Sequence, residues 1–154
     1  MKTMNETLKA SALMVGDYVK WEYVSYPDVV VNNGYKKVDA IYGDESVDLI
    51  DEDTLYEHVP MDEVKVVELT AEILEKNGFK KFNLEDIEGS HKWTWCCDMQ
   101  TFVSLWCREL KDDTKEGWML RIESPFTSTR TKIEYVHELQ HALRLCRIKK
   151  EIIL

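Results

Sequence analysis

A zinc-protease motif lies near the end of the chain. The segment "YVHELQHAL" (135–143) contains His137, Glu138 and His141 in the order H-E-x-x-H. On a helix, two histidines four residues apart are one turn apart and can bind the same zinc ion, while the glutamate activates the bound water. The residues therefore raise the hypothesis of a zinc metallohydrolase.

The sequence lacks a standard third zinc ligand. Only thirteen residues follow His141, and Arg144 and Arg147 occupy the positions where the metzincin extension has glycine and histidine. The other candidates are Glu151 downstream and His58, His91 and Cys107 upstream. We therefore expect no metal, no cofactor and no catalytic residues.

The helical phase of this segment also opposes a zinc site. A helix is predicted from about Thr131 to Cys146, with Ser128, Thr129 or Thr131 as its N-cap. At about 100° per residue, one side carries the apolar residues Ile133, Tyr135, Val136, Leu139, Ala142, Leu143 and Cys146. The opposite side is predicted to be solvent-exposed and to bind a partner; it carries Glu134, His137, Glu138, His141 and Arg144.

The first 64 residues show the short alternating segments of an antiparallel β structure. The segment "LMVGDYVKWEYV" (13–24) predicts a turn at Gly16-Asp17 followed by a strand. Asn33-Gly34 predicts a hairpin turn between two further strands, since both residue types tolerate positive φ. We expect a small antiparallel β-barrel or meander.

A short helix and a second sheet follow. Thr70 is the predicted N-cap of a helix over 71–76, which ends at Asn77-Gly78. The segments "KWTWCCD", "TFVSLWCREL" and "GWMLRIES" alternate with period two and predict three antiparallel strands. Their predicted core face carries Trp93, Trp95, Val103, Leu105, Trp118, Leu120 and Ile122.

The opposite face of this sheet is not purely polar. It includes Phe102 and Trp106, and we expect it either to be covered by the N-terminal part or to bind a partner. The predicted fold class is α+β, with a β subdomain over 1–64 and an α+β subdomain over 65–154 in which the three-stranded sheet packs on the C-terminal amphipathic helix. One continuous domain is the alternative.

Charge and composition limit the partners. The chain has 154 residues and a net charge of −9, and residues 44–75 contain one basic and twelve acidic residues. This acidic segment is interpreted as a solvated face, or else as a DNA-mimicking or basic-protein-binding surface, and it opposes duplex DNA binding. We expect no membrane segment, a cytoplasmic protein and reduced cysteines, because no signal peptide or long apolar stretch is present.

Three segments resemble a protein family. "LKASALMVGDYV", "VELTAEILEKNGF" and "IEYVHELQHALRL" are similar, in this order, to landmarks of small uncharacterised proteins of bacterial prophages and mobile elements. Those proteins have a Pro-Ile-Pro run where this chain has Val66-Val67-Glu68, and Gln and Asn where it has Glu138 and His141. The resemblance implies no established activity, and it makes the zinc motif a local variation.

Three functional hypotheses result. The first is a non-enzymatic accessory protein of a phage or mobile element that acts through contacts with an unknown protein partner. The second is the zinc metallohydrolase. The third is single-stranded nucleic-acid binding by the N-terminal barrel through Lys20, Lys36, Lys37, Trp21, Tyr23 and Tyr35. The oligomeric state is left open.

Overall fold

The structure is a computed structural model that describes residues 8–83, 91–96, 104–109 and 117–154. At strand positions 82–83, 91–96, 104, 106 and 108–109 it describes the backbone. The chain divides into two compact units, Met1–Val67 and Glu68–Leu154. We call them unit 1 and unit 2.

Unit 1 contains a five-stranded antiparallel sheet. Its strands are β1 (Tyr18–Ser25), β2 (Val29–Ile41), β3 (Ser46–Ile50), β4 (Leu55–Pro60) and β5 (Val64–Lys65), and short 3₁₀ turns cover Ala10–Ala12 and Met61–Glu63. Strands β1 to β4 form a meander, and β5 returns to pair with β1, which gives the order β4-β3-β2-β1-β5. Over residues 8–67, β4 and β5 do not pair, so the meander is confirmed and a closed barrel is not.

The core of unit 1 combines apolar residues of all five strands with residues in and beside the two 3₁₀ turns. Val19 is fully buried, whereas its neighbours Tyr18 and Lys20, which point to the other face of β1, are half-buried. The buried apolar cluster contains Ala10, Leu13, Val19, Val38, Val47, Leu49, Val59, Met61 and Val64.

The predicted hairpin turn at Asn33-Gly34 is wrong. Strand β2 runs through both residues, and the β1–β2 turn lies at residues 26–28. Asn33 and Gly34 instead form a bulge opposite Trp21, where the β1–β2 register shifts. The physical reason is that a β-bulge and a tight turn both require a residue with positive φ, and Gly34 has a φ of 75°. The Asn32 side-chain oxygen accepts the Gly34 N–H at 2.8 Å.

Unit 2 combines a second five-stranded antiparallel sheet with two helices. The strands are β6 (Lys80–Asn83), β7 (His91–Cys96), β8 (Ser104–Glu109), β9 (Trp118–Glu123) and β10 (Ser128–Ile133), in the order β10-β9-β8-β7-β6. The helices are α1 (Ala71–Lys76) and α2 (Val136–Leu145). The α+β class is confirmed. The three predicted strands correspond to β7, β8 and β9, while β6 and β10 are additional edge strands.

The predicted core face of this sheet is confirmed where side chains are described. Leu105, Trp118 and Leu120 are buried, and Ile122 is half-buried. Val103 lies outside the described residues, as do the side chains of Trp93 and Trp95.

Helix α1 has the predicted bounds. The Thr70 hydroxyl accepts the Ile73 N–H at 3.3 Å, and Gly78 has a φ of 83° after the last turn. The side chain of Asn77 bonds to the backbone of Ile153 through both its oxygen and its nitrogen, each at 2.8 Å. This amide therefore ties the C-terminal segment to α1.

Helix α2 begins later than predicted. Residues 128–133 form edge strand β10, and the helix starts at Val136. The reason is that "STRTKI" alternates with period two, and its β-branched residues favour a strand beside β9 over a helical first turn. Within the described ranges, the longest helix has ten residues, about half of what a bilayer span requires.

Candidate functional site

The zinc motif occupies the start of α2, where its glutamate caps the helix. The Glu138 carboxylate accepts the N–H of Glu134 at 2.6 Å and that of Tyr135 at 3.0 Å. This is the side-chain-to-backbone half of a capping box, and it satisfies backbone donors that a helix start otherwise leaves unbonded. The same oxygen is the group that a zinc protease uses to activate water, so the structure gives this carboxylate a structural role.

The prediction that His137 faces solvent is wrong. Its side chain is only 6% exposed, stacks almost parallel to Tyr135 with ring centroids 5.8 Å apart, and lies edge-on to His141 at 5.6 Å. The buried residues of α2 are Val136, His137, Leu139, Gln140, Ala142 and Leu143. At about 100° per residue, these buried residues cover an arc of about 220° around the helix axis. This arc is wider than the apolar side of the helix, so it also includes the polar residues His137 and Gln140.

The surroundings of the two imidazoles do not complete a metal site within the described part of the chain. There, no three His, Cys, Asp or Glu side chains are grouped to hold an ion. Cys107 is buried, and burial raises the pKa of its thiol to about 12, so the thiolate that zinc requires is disfavoured. The side chain of His91 lies outside the description.

The other residues of the predicted partner surface are scattered. Glu134 is half-buried and forms an ion pair with Lys132, His141 is half-buried, and Arg144 is exposed. Burial, with the nearby Glu134 carboxylate, raises the pKa of the Tyr135 phenol. Trp106 belongs to β8, and Phe102 lies outside the described residues. On α2, the predicted partner surface therefore loses two of its residues, since His137 is buried and Glu138 caps the helix.

The three lysines proposed for nucleic-acid binding in unit 1, and Trp21, contact acids or rings within the fold, whereas Tyr35 is 52% exposed. Lys36 is buried, and its ammonium donates to the Asp51 carboxylate at 2.8 Å and to the Asn33 carbonyl at 2.7 Å. The Trp21 indole donates to Glu63 at 2.9 Å. Lys20 pairs with Glu22, and Lys37 lies over the Tyr18 ring.

Several carboxylates of the acidic segment also have structural roles. Asp48 is buried in β3, where it accepts the backbone N–H of His58 at 2.8 Å and the Tyr42 hydroxyl at 2.7 Å. These two hydrogen bonds lower the pKa of Asp48, and the Lys36 ammonium lowers that of Asp51. Glu52, Asp53, Glu57 and Asp62 are exposed. The acidic segment thus contains both internal ligands of the fold and a solvated surface.

The end of the β1–β2 hairpin is a surface of which the sequence predicted only Tyr23 and Tyr35. Strand β3 pairs with β2 only from Lys37 onward, and β5 pairs with β1 only at Lys20 and Trp21. The remainder, which we call the hairpin tip (22–35), is a two-stranded extension. The available signal was its composition, since residues 22–35 contain only two charged residues, Glu22 and Asp28.

The hairpin tip exposes apolar side chains on both strands and in the turn. Val24 is 66% exposed, Tyr26 99%, Val29 53% and Val30 64%. Val24 and Val30 are direct cross-strand partners, as are Ser25 and Val29. Contiguous exposed apolar residues of this kind typically mark interaction surfaces.

Comparison with protein-family models, with curated proteins and with solved structures yields no match to this chain.

Proposed function

We propose that this protein is a non-enzymatic accessory protein of a phage or mobile element, and that it acts in the cytoplasm by binding another protein through the hairpin tip. The prophage part of the proposal is supported by the three sequence landmarks. The binding part is supported by the hairpin tip.

The single observation that carries the proposal is the contrast between the hairpin tip and the rest of unit 1. Unit 1 contains fourteen acidic and six basic residues, of which only Glu22 and Asp28 lie in the hairpin tip. The exposure of the valines and of an almost fully exposed tyrosine to water is unfavourable in free energy, and binding of a partner would bury these side chains. Exposed strand edges in natural proteins usually carry charges or proline that discourage pairing with another chain, and here they are limited to Glu22 at the base of the tip and to Pro27 and Asp28 in the turn.

The roles of the reactive residues support a non-enzymatic function. Glu138 caps a helix, His137 is buried, and the thiol of Cys107 is buried with a raised pKa. Each of these groups has a structural explanation that requires no substrate.

The test is site-specific photo-cross-linking in cells that encode the protein. A photoreactive amino acid at Tyr26 is expected to capture one protein that is not captured from Leu145, an exposed apolar residue of unit 2. The captured protein is then purified, and its affinity for this chain is measured by calorimetry.

Two double variants make the test specific. Val24→Asp with Val30→Asp is expected to weaken the purified complex by about 2 kcal/mol or more, because it places charges in a desolvated contact. Met14→Asp with Val15→Asp makes the same change at exposed positions of unit 1 outside the hairpin and is expected to have little effect. Equal losses in the two variants, or equal capture from Tyr26 and Leu145, would contradict the proposal.

A further inference from the structure

We propose that unit 2 binds single-stranded nucleic acid on the face of its sheet opposite the core. The proposal is independent of the hairpin tip, which belongs to unit 1. The nucleic-acid hypothesis above relied on lysines of unit 1, which are paired within the fold. The present proposal relies on a different set of basic residues, in unit 2.

The strand register aligns basic residues in two rows across the sheet, which we call the basic rows. The first row contains Arg130, Arg121, Trp106, Thr94 and Lys80, and the second contains Lys132, Met119, Arg108, Lys92 and Phe82. Six of these ten positions are basic and none is acidic. The row between them contains the buried core residues Leu120 and Cys107.

The basic rows are accessible where their side chains are described. Lys80, Arg130 and Lys132 are exposed, and Arg121 and Met119 are half-buried. Because successive residues of a strand point to opposite faces, these residues share the face opposite the core residues Leu120 and Trp118.

The pairing of Arg130 with Arg121 indicates an anionic ligand. The two arginines are direct cross-strand partners, and like charges at such positions repel each other. Arg121 also contacts Glu123 and the Ser128 hydroxyl, and Lys132 contacts Glu134. Ion pairs at this exposure are weak, so a phosphate can exchange for a carboxylate and bridge the arginines.

The arrangement favours a nucleic acid over an acidic protein segment. Taken together, the two rows place at least one basic position on each of the five strands, and neighbouring strands are about 4.8 Å apart, which suits a polymer with a charge on every residue. The same rows contain an aromatic residue each, Trp106 and Phe82, and sheets that combine basic and aromatic residues bind unpaired bases. A single strand adapts to a twisted sheet, whereas a duplex is stiff.

The test is fluorescence anisotropy of the full chain with labelled oligothymidylate and oligouridylate of about 15 nucleotides. We expect binding that weakens as salt increases. Arg121→Ser with Arg130→Ser is expected to weaken binding about tenfold or more and to reduce the slope of log K against log salt by about 1.4, since each lost phosphate contact removes about 0.7. Circular dichroism and thermal melting verify that the variants fold.

The matched control is Arg147→Ser with Lys149→Ser, which removes the same charge from exposed residues outside the basic rows. It is expected to change the affinity by less than about twofold, while Arg121→Lys with Arg130→Lys retains most of the binding. The proposal is overturned by the absence of binding at low salt, by equal losses in the two serine variants, or by tighter binding to a duplex of the same length. Binding of polyglutamate in place of both oligonucleotides would also overturn it and indicate an acidic protein partner.

Discussion

Units 1 and 2 differ in how their charged residues are arranged. Unit 1 has fourteen acidic and six basic residues, and several of both kinds bond to each other, as Lys36 does to Asp51. Unit 2 has fifteen acidic and fourteen basic residues, yet its register gathers six basic residues into two rows that contain no acid. A nearly neutral segment can therefore align basic residues at neighbouring positions of a sheet, while a strongly acidic one uses part of its charge internally.

The largest expected effect tests whether both units have tightly packed cores. Leu49→Ala in unit 1 and Leu139→Ala in unit 2 are each expected to lower the free energy of unfolding by about 2–5 kcal/mol, since both side chains are fully buried. Urea titration measures the loss. The control Leu145→Ala, at an exposed position, is expected to remain within about 0.5 kcal/mol. A small loss in only one of the units would show that its core is loosely packed.

Mutation of His137 tests whether this polar side chain is part of the buried core of unit 2. His137→Ala is expected to cost about 1–3 kcal/mol, because the imidazole is buried against Tyr135. His141→Ala is the control, one turn further on and half-buried, and it is expected to cost less. Equal costs in urea titration would place both imidazoles in the same environment and contradict the structure.

Glu138 tests the capping role in unit 2. Glu138→Ala is expected to cost about 0.5–2 kcal/mol, the usual range for a lost helix cap, and Glu138→Gln less, because the amide oxygen still accepts hydrogen bonds. Unfolding titrations of both variants provide the measurement. A more stable Ala variant would show that the carboxylate is strained there, as expected of a functional group.

Acid tests the carboxylates that are bonded within unit 1. Because Asp48 and Asp51 have lowered pKa values in the folded state, they stabilise unit 1 above the ordinary carboxyl pKa of about 4, and this contribution is lost as the pH falls through the folded values. Asp48→Asn is expected to reduce this pH dependence, whereas the exposed control Asp53→Asn leaves it unchanged. The indole N–H signal of Trp21, the only tryptophan of unit 1, reports the transition by NMR. Equal pH profiles in both variants would refute the role of Asp48.

The smallest expected effect concerns zinc in unit 2. Elemental analysis of the purified protein is expected to show no stoichiometric zinc, because Glu138 caps the helix and the described residues provide no third ligand. One tightly held zinc per chain, lost in His141→Ala, would restore the metallohydrolase hypothesis.

Elements with a local physical cause were predictable. Helix α1 depends on the Thr70 hydroxyl and on a glycine with positive φ, and both are visible in the sequence. Strands β8 and β9 followed from period-two alternation. The start of α2 was mispredicted, because "STRTKI" has a suitable helix cap and also pairs with β9.

The sequence by itself determined the α+β composition, the buried face of the second sheet and the acidity of unit 1, because these depend on residue type and spacing. Only the tertiary structure decided that Asn33-Gly34 is a bulge, that His137 is buried, and that the arginines at 121 and 130 are partners. Each of these outcomes depends on which segment, distant in sequence, packs beside the residue. Strand register and the burial of the side of a helix are properties of two segments together, so neither can be read from one segment alone.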